Sequence, residues 1–190
     1  MNISSINLKG YQLLRNATEK PSSYISSGIS RTVYRITDDL IVKIGSGYEG
    51  SQSKTEIQLW TNASPELQKI LCPILAYHIG EESIVTLMPY ATPFNQVLNS
   101  VHWVEENKGI KWHEINEHML SIYVDDEHQS LQHLLYEKGV SDCRLPGNER
   151  NWGLLNGRLV LLDYGLCELY NGGVYNRPRQ SYYPYQHYVY

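Results

Sequence analysis

Short apolar runs separated by turn residues fill the first half of the chain, and this pattern predicts β-strands. A flexible Ser/Gly turn is expected at 26–30, ahead of the first complete hairpin. The predicted strands of this half are 33–36, 40–44, 74–77 and 83–88. Between the two hairpins, apolar residues at helical spacing predict a helix over 52–63, capped by Ser51 or Ser53.

The pattern changes to helical spacing over 94–138, where apolar residues recur every three or four positions. Gly109 separates two predicted helices, and Gly139 follows the last one as an expected C-cap. We therefore expect several helices in this region.

A last hairpin is predicted around Asn156-Gly157, a dipeptide that favours a tight turn between two strands. The flanking apolar runs are 151–155 and 158–162. Sheet, helices and hairpin in this order predict an α+β fold, with a small antiparallel sheet lobe and a helical lobe. The predicted divisions are a sheet part, a helical part with the hairpin, and a Tyr-rich tail, at 1–90, 91–168 and 169–190.

Composition limits the function classes. The 190 residues carry a formal net charge of −4, which argues against nucleic-acid coating and is too mild for a DNA mimic. No apolar stretch approaches the roughly 20 residues of a membrane span, and no secretory signal is readable at the start. We expect a cytoplasmic protein without a membrane partner.

Neither cysteines nor histidines form a metal-binding pattern. The three cysteines lie far apart without a CxxC pair, which fits a reducing compartment. The helical histidines occur in two pairs whose members are five residues apart, whereas two metal ligands on one helix face need a spacing of three or four. We expect them on the surface; they are His113, His118, His128 and His133.

Tyrosine is in unusual excess, with 16 Tyr against a single Phe. Seven of them fall within 170–190. Three interpretations stay open for this tail: a strap packed on the helical part, a partner-binding segment, or an autophosphorylation site.

Charged residues at the ends of predicted strands are the candidate chemistry. Lys43 follows an apolar run and needs an anionic partner if its strand is buried, either a carboxylate from the next helix, such as Glu56, or a bound phosphate. Asp163 ends the last hairpin that Asn151 begins. An Asp and an Asn together offer the hard oxygen atoms that Mg²⁺ prefers.

In this order the residues resemble the protein-kinase-like fold over about 24–168. Gly28 matches the centre of the glycine-rich loop in Ser26-x-Gly28-x-x-Arg31-x-Val33. The further matching segments are Val42-Lys43, Glu56, Leu87-Met88-Pro89-Tyr90-Ala91, Asp142 with Asn151-Trp152-Gly153, and Asp163-Tyr164-Gly165.

The resemblance implies a role for each residue. Lys43 would hold nucleotide phosphates and Glu56 would orient it. Asp163 and Asn151 would hold Mg²⁺, and Asp142 would orient or deprotonate the acceptor hydroxyl. The implied ATP-binding residues are Gly28, Lys43, Glu56, Met88 as gatekeeper, and Tyr90 and Ala91, whose backbone would meet the adenine.

Two departures from the family pattern matter. Asn151 follows Asp142 by nine residues where the family has five, so the loop has an insertion, Asn148 is the metal ligand, or the loop is degenerate. No Ala-Pro-Glu segment follows, and 25 residues come after Gly165, so the helical lobe is reduced, as in small kinase-like proteins of phages.

Two functions follow from the resemblance. One is an ATP- and Mg²⁺-dependent phosphotransferase, a kinase acting on a protein or a small hydroxylated acceptor. The alternative is a catalytically weak pseudokinase that binds or inhibits a protein partner. A plain structural α+β domain is a third possibility.

Overall fold

The computed structural model describes most of the chain from residue 19 onward. The described ranges are 19–20, 23–27, 31–46, 51–106 and 108–167. Gly28 and the Tyr-rich tail at 169–190 lie outside the described residues.

A five-stranded antiparallel sheet forms in the first part, with strand order β1-β2-β3-β5-β4. The strands are Tyr24–Ser27 (β1), Arg31–Arg35 (β2), Leu40–Ser46 (β3), Ala76–Ile79 (β4) and Ser83–Pro89 (β5). Ser26 and Ser27 belong to β1, paired with Val33 and Thr32, so their prediction as turn residues was wrong. Local composition favours a turn there, and pairing with β2 overrides it.

Five helices are described, at Gln52–Asn62 (α1), Pro65–Gln68 (α2), Phe94–Glu106 (α3), Trp112–Tyr123 (α4) and Asp126–Glu137 (α5). Ser51 caps α1 by accepting a hydrogen bond from the Lys54 backbone N–H at 3.3 Å. Gly109 and Gly139 have φ of +80° and +82°, the left-handed conformation expected where a helix ends. The short α2 was not predicted.

The predicted last hairpin pairs with a short strand to form a second antiparallel sheet. Its strands are Thr92–Pro93 (β6), Trp152–Leu155 (β7) and Arg158–Leu161 (β8), preceded by a 3₁₀ turn at Glu149–Asn151. Asn156 and Gly157 have φ of 52° and 78°, as a tight two-residue hairpin turn requires. The α+β fold class is confirmed.

Three of the four helical histidines are exposed as expected, whereas His128 is only 7% exposed. Its ring lies 4.9 Å from that of Trp152, centroid to centroid. The spacing of the histidines bears on metal binding and gives no information about burial. His128 is buried because it packs against the last hairpin. Among the described residues, no group of three or more His, Cys, Asp or Glu side chains is arranged to hold a metal ion.

Residues 70–72 fasten the last hairpin to the first part of the chain. The Cys72 backbone N–H donates to the Leu161 carbonyl at 2.9 Å, and the Leu161 N–H donates to the Ile70 carbonyl at 2.7 Å. The buried Tyr164 hydroxyl donates to the Cys72 carbonyl at 2.8 Å. These bonds bring the end of β8, and therefore Asp163, close to α1 and the first sheet.

One hydrophobic core joins these elements, and its members include Met88, Phe94, Leu135, Trp152 and Tyr164. No helix in the described part of the chain combines the length and apolar character needed to cross a membrane.

Candidate functional site

Lys43 lies on the central strand β3, opposite Val33 on β2 and Thr86 on β5. Its side chain is 8% exposed, so its charge is largely removed from water. Nζ donates to Glu56 Oε1 at 2.8 Å and to the Leu162 carbonyl at 2.5 Å. The anionic partner predicted for this lysine is therefore the helix carboxylate.

Glu56 is fully buried on α1 and uses both carboxylate oxygens. Oε1 accepts from Lys43, and Oε2 accepts from Arg31 at 2.9 Å. The helix presents this residue inward because its buried face includes Thr55, Ile57 and Leu59. Both oxygens of this buried carboxylate are therefore paired with a cationic donor.

Arg31, at the start of β2, is the site residue that sequence reasoning missed. Its side chain is 6% exposed, and it donates to Glu56 and also to Asp163 Oδ1. Burial opposes its charge, but Glu56 and Asp163 together raise the Arg31 pKa above its ordinary value. Strand alternation was the available signal. Arg31 is two residues before Val33, the partner of Lys43, and so shares the face of Lys43.

Asp163 directly follows the hairpin and is 48% exposed, with its Oδ1 held by Arg31. Burial works to raise its pKa, but the charges of Arg31 and Lys43 and the Gly165 backbone N–H outweigh this, so the pKa lies below its ordinary value. Gly165 lets the chain pass close to α1, since a Cβ there would lie 2.5 Å from the Gln52 carbonyl oxygen. The Asp163 carboxylate is therefore charged and fixed at the exposed edge of a charge cluster formed by Arg31, Lys43, Glu56 and Asp163.

Asp142 and Asn151 meet beside Asp163. Asn151 Nδ2 donates to the Asp142 carbonyl at 3.2 Å, and the Leu162 N–H donates to the Asn151 carbonyl at 2.6 Å. Burial and then the charge of Asp163 raise the pKa of the Asp142 carboxyl, while Arg150 opposes them. The two acids are thus close enough to interact electrostatically although they come from different segments.

Asn148, the alternative metal ligand, is directed into its own loop. Its Nδ2 donates to the Arg144 carbonyl at 3.2 Å, and the Arg144 guanidinium stacks on Tyr136 at 3.7 Å. Of the two asparagines, Asn151 is the one bonded to Asp142. The loop between Asp142 and Asn151 therefore makes contacts of its own.

The implied adenine-contacting residues lie at the end of β5 and just after it. Met88 is fully buried opposite Ile41, and Ala91 is 5% exposed in the same core. The Tyr90 N–H donates to the Asp39 carbonyl at 2.7 Å, and Arg35 stacks on the Tyr90 ring at 4.1 Å.

The oxygen donors near Asp163 fit Mg²⁺ in their chemistry. Mg²⁺ is held through one or two carboxylates and otherwise by water and phosphate oxygens. The half-exposed Asp163 carboxylate and Asn151 Oδ1 supply such atoms, since Asn151 uses Nδ2 for its bond to Asp142. Arg31 already donates to one oxygen of this carboxylate, Asp163 Oδ1.

Comparison with known proteins does not identify the chain. No protein-family model matches it, and no curated protein sequence shows a match.

Proposed function

We propose that the chain is a kinase-like phosphotransferase that uses ATP and Mg²⁺ to phosphorylate a protein or a small hydroxylated acceptor. The observation that carries this proposal is the buried Lys43–Glu56 pair at 2.8 Å, with Lys43 also bonded to the residue before Asp163. Strand β3, helix α1 and the distant segment after β8 thus supply a lysine, a glutamate and an aspartate in the order of the kinase motifs. The proposed architecture is a small antiparallel sheet lobe and a reduced helical lobe.

Lys43 would bind the nucleotide phosphates, and Glu56 would keep its ammonium group aimed at them. The lysine is pre-oriented, because its long side chain is fixed by two hydrogen bonds before any ligand arrives. Holding the transferred group in place is the main contribution of such sites, since phosphoryl transfer requires positioning and charge neutralisation.

Asp163 and Asn151 are the residues that would hold Mg²⁺, which when bound supplies positive charge to the phosphate oxygens. The lowered pKa of Asp163 keeps this carboxylate charged well into the acidic range.

Asp142 would accept a hydrogen bond, and then the proton, from the acceptor hydroxyl at its carboxylate. Burial and the charge of Asp163 raise its pKa, which makes it a stronger base than an ordinary aspartate. In the same proposal Met88, Tyr90 and Ala91 border the adenine.

The test is transfer of labelled γ-phosphate from ATP to proteins of a broad extract and to the chain itself, with and without Mg²⁺. We expect transfer by the wild type, and a loss of at least about a hundredfold in Lys43→Met, Asp163→Asn and Asp142→Asn. Arg158→Gln, an exposed hairpin substitution, is the matched control and should retain transfer. Equal activity or equal silence across all five proteins would contradict the proposal.

The second candidate is a pseudokinase that acts by binding a partner. The observation favouring it is that Arg31 already occupies Asp163 Oδ1. Under this alternative, Arg31 permanently replaces the cation. Thermal stability would then be unchanged by Mg²⁺ with ATP, whereas the phosphotransferase should be stabilised by ligand binding.

A further inference from the structure

Arg31 holds the cluster together from its interior side. Its guanidinium contacts Glu56 Oε2 at 2.9 Å and Asp163 Oδ1, and the side chain is 6% exposed. A planar guanidinium has five N–H donors and is able to serve two carboxylates at once. Asp163, at 48% exposed, still faces solvent on its other side.

Within the cluster the charges balance, with Arg31 and Lys43 against Glu56 and Asp163. A divalent cation arriving alone at Asp163 would place two further positive charges beside Arg31 in a partly desolvated site. Phosphate groups arriving with the cation would bring the compensating negative charge. Cation binding should therefore depend on phosphate.

Of the two cations, Arg31 is the one suited to change partners. Lys43 Nζ donates to Glu56 and to the Leu162 carbonyl, and these two hydrogen bonds fix its position in the cluster. Arg31 would keep its bond to Glu56 through one nitrogen while the other leaves Asp163.

We propose that Arg31 is an exchangeable ligand of Asp163 and a phosphate-binding residue. Its Nη2 group holds the carboxylate in the free protein and moves to a phosphate oxygen when a nucleotide arrives with a divalent cation. Phosphate binding by Arg31, the phosphate half of this inference, rests on the proposed function. The competition between Arg31 and a cation for Asp163 does not depend on that function.

The first test measures Mn²⁺ binding by electron paramagnetic resonance, without nucleotide and with ADP. We expect Arg31→Gln to bind Mn²⁺ alone at least about fivefold tighter than the wild type, and to bind ADP with Mn²⁺ about tenfold more weakly, because a charge-assisted hydrogen bond is lost. Arg158→Gln is the matched control and should behave as the wild type. Asp163→Asn should lose Mn²⁺ binding in both conditions.

The outcomes separate the two ideas. Equal Mn²⁺ affinity in the wild type and Arg31→Gln, without nucleotide, would overturn the competition. An absence of ADP binding in the wild type and in Arg158→Gln would overturn the proposed function and the phosphate half, while a tighter Mn²⁺ site in Arg31→Gln would still support the competition.

A second measurement uses the wild type, so that it holds even if Arg31→Gln fails to fold. In a ¹⁵N-arginine-labelled sample, the buried Arg31 guanidinium should give slowly exchanging N–H signals that Asp163→Asn perturbs. We expect these signals to shift on adding ADP with Mg²⁺ and to stay in place with Mg²⁺ alone. Signals unchanged at saturation with both would overturn the exchange.

Discussion

Removal of the Glu56 carboxylate is the most informative single perturbation. The side chain is fully buried, and its oxygens lie 2.8 Å from Lys43 Nζ and 2.9 Å from an Arg31 guanidinium nitrogen. At an effective dielectric constant of about 20, a pair at such a distance attracts with about 6 kcal/mol before desolvation is subtracted. In Glu56→Gln, two buried cations would be left with one half-exposed carboxylate, Asp163.

We expect Glu56→Gln to lower the free energy of unfolding by about 3–5 kcal/mol, the range for breaking a buried ion pair by removing one partner. This is a large part of the 5–15 kcal/mol by which domains are typically stable. Urea unfolding followed by circular dichroism measures the loss, and the exposed Glu137→Gln is the control, with an expected change within about 0.5 kcal/mol.

The double variant Lys43→Met with Glu56→Gln supplies the stricter test. Lys43→Met removes one of the buried charges that Glu56→Gln leaves without a partner. The double variant should therefore lose clearly less free energy of unfolding than the sum of the losses in the two single variants. Additivity within about 0.5 kcal/mol, or a loss below about 1 kcal/mol in Glu56→Gln, would refute the reasoning that these charges are coupled.

Three further outcomes follow from the described contacts. Tyr164→Phe should lower the unfolding free energy by about 1–2 kcal/mol in urea titrations, because the Cys72 carbonyl loses a buried donor; an unchanged midpoint would contradict this. Burial raises the pKa of Cys72 to about 12 and that of Cys143 to about 11, and Cys167 is also buried. A thiol reagent should therefore label these three cysteines only after unfolding, and their fast labelling in the native protein would contradict this prediction. Burial works against it, but the charges of Arg31 and Lys43 lower the pKa of Asp163, so ionised Asp163 stabilises the fold fully above about pH 4 and this stabilisation is lost as the pH falls through the lowered pKa. The unfolding midpoint of Asp163→Asn should therefore change less with acid than that of the wild type, and parallel plots of midpoint against pH would refute the assignment.

Local pattern was sufficient for much of the fold. Asn156-Gly157 determines its own turn, and the apolar run 40–44 has enough β-prone residues to identify β3. The start of α1 was predictable because Ser51 has the side chain that a helix N-cap needs. Each of these signals is contained within a few neighbouring residues.

What sequence could not give is pairing over long separations. Arg31 meets Glu56 and Asp163, which lie 25 and 132 residues away. Strand alternation can place Arg31 on the face of Lys43, but it does not indicate either carboxylate as a partner. The burial of His128 has the same origin, since it depends on packing against Trp152. Lys43, Glu56 and Asp163 were candidates because of their places beside predicted strands, and a Lys43–Glu56 pair was one expected outcome. The contacts that join Asp163 to this pair through Arg31 became visible only in the structure.

The fastening of residues 70–72 to the last hairpin has a consequence for folding. The Tyr164 hydroxyl reaches the Cys72 carbonyl across 92 residues of chain, and the backbone bonds to Leu161 lie beside it. Contacts of high sequence separation slow folding, because the loop they close must be ordered first. The hairpin should form early by itself, whereas its docking should limit the folding rate.

A break of the chain near residue 90 would separate the two sides of this junction. We therefore expect neither fragment to unfold cooperatively alone, and we expect the two fragments to recover a single unfolding transition when they are mixed.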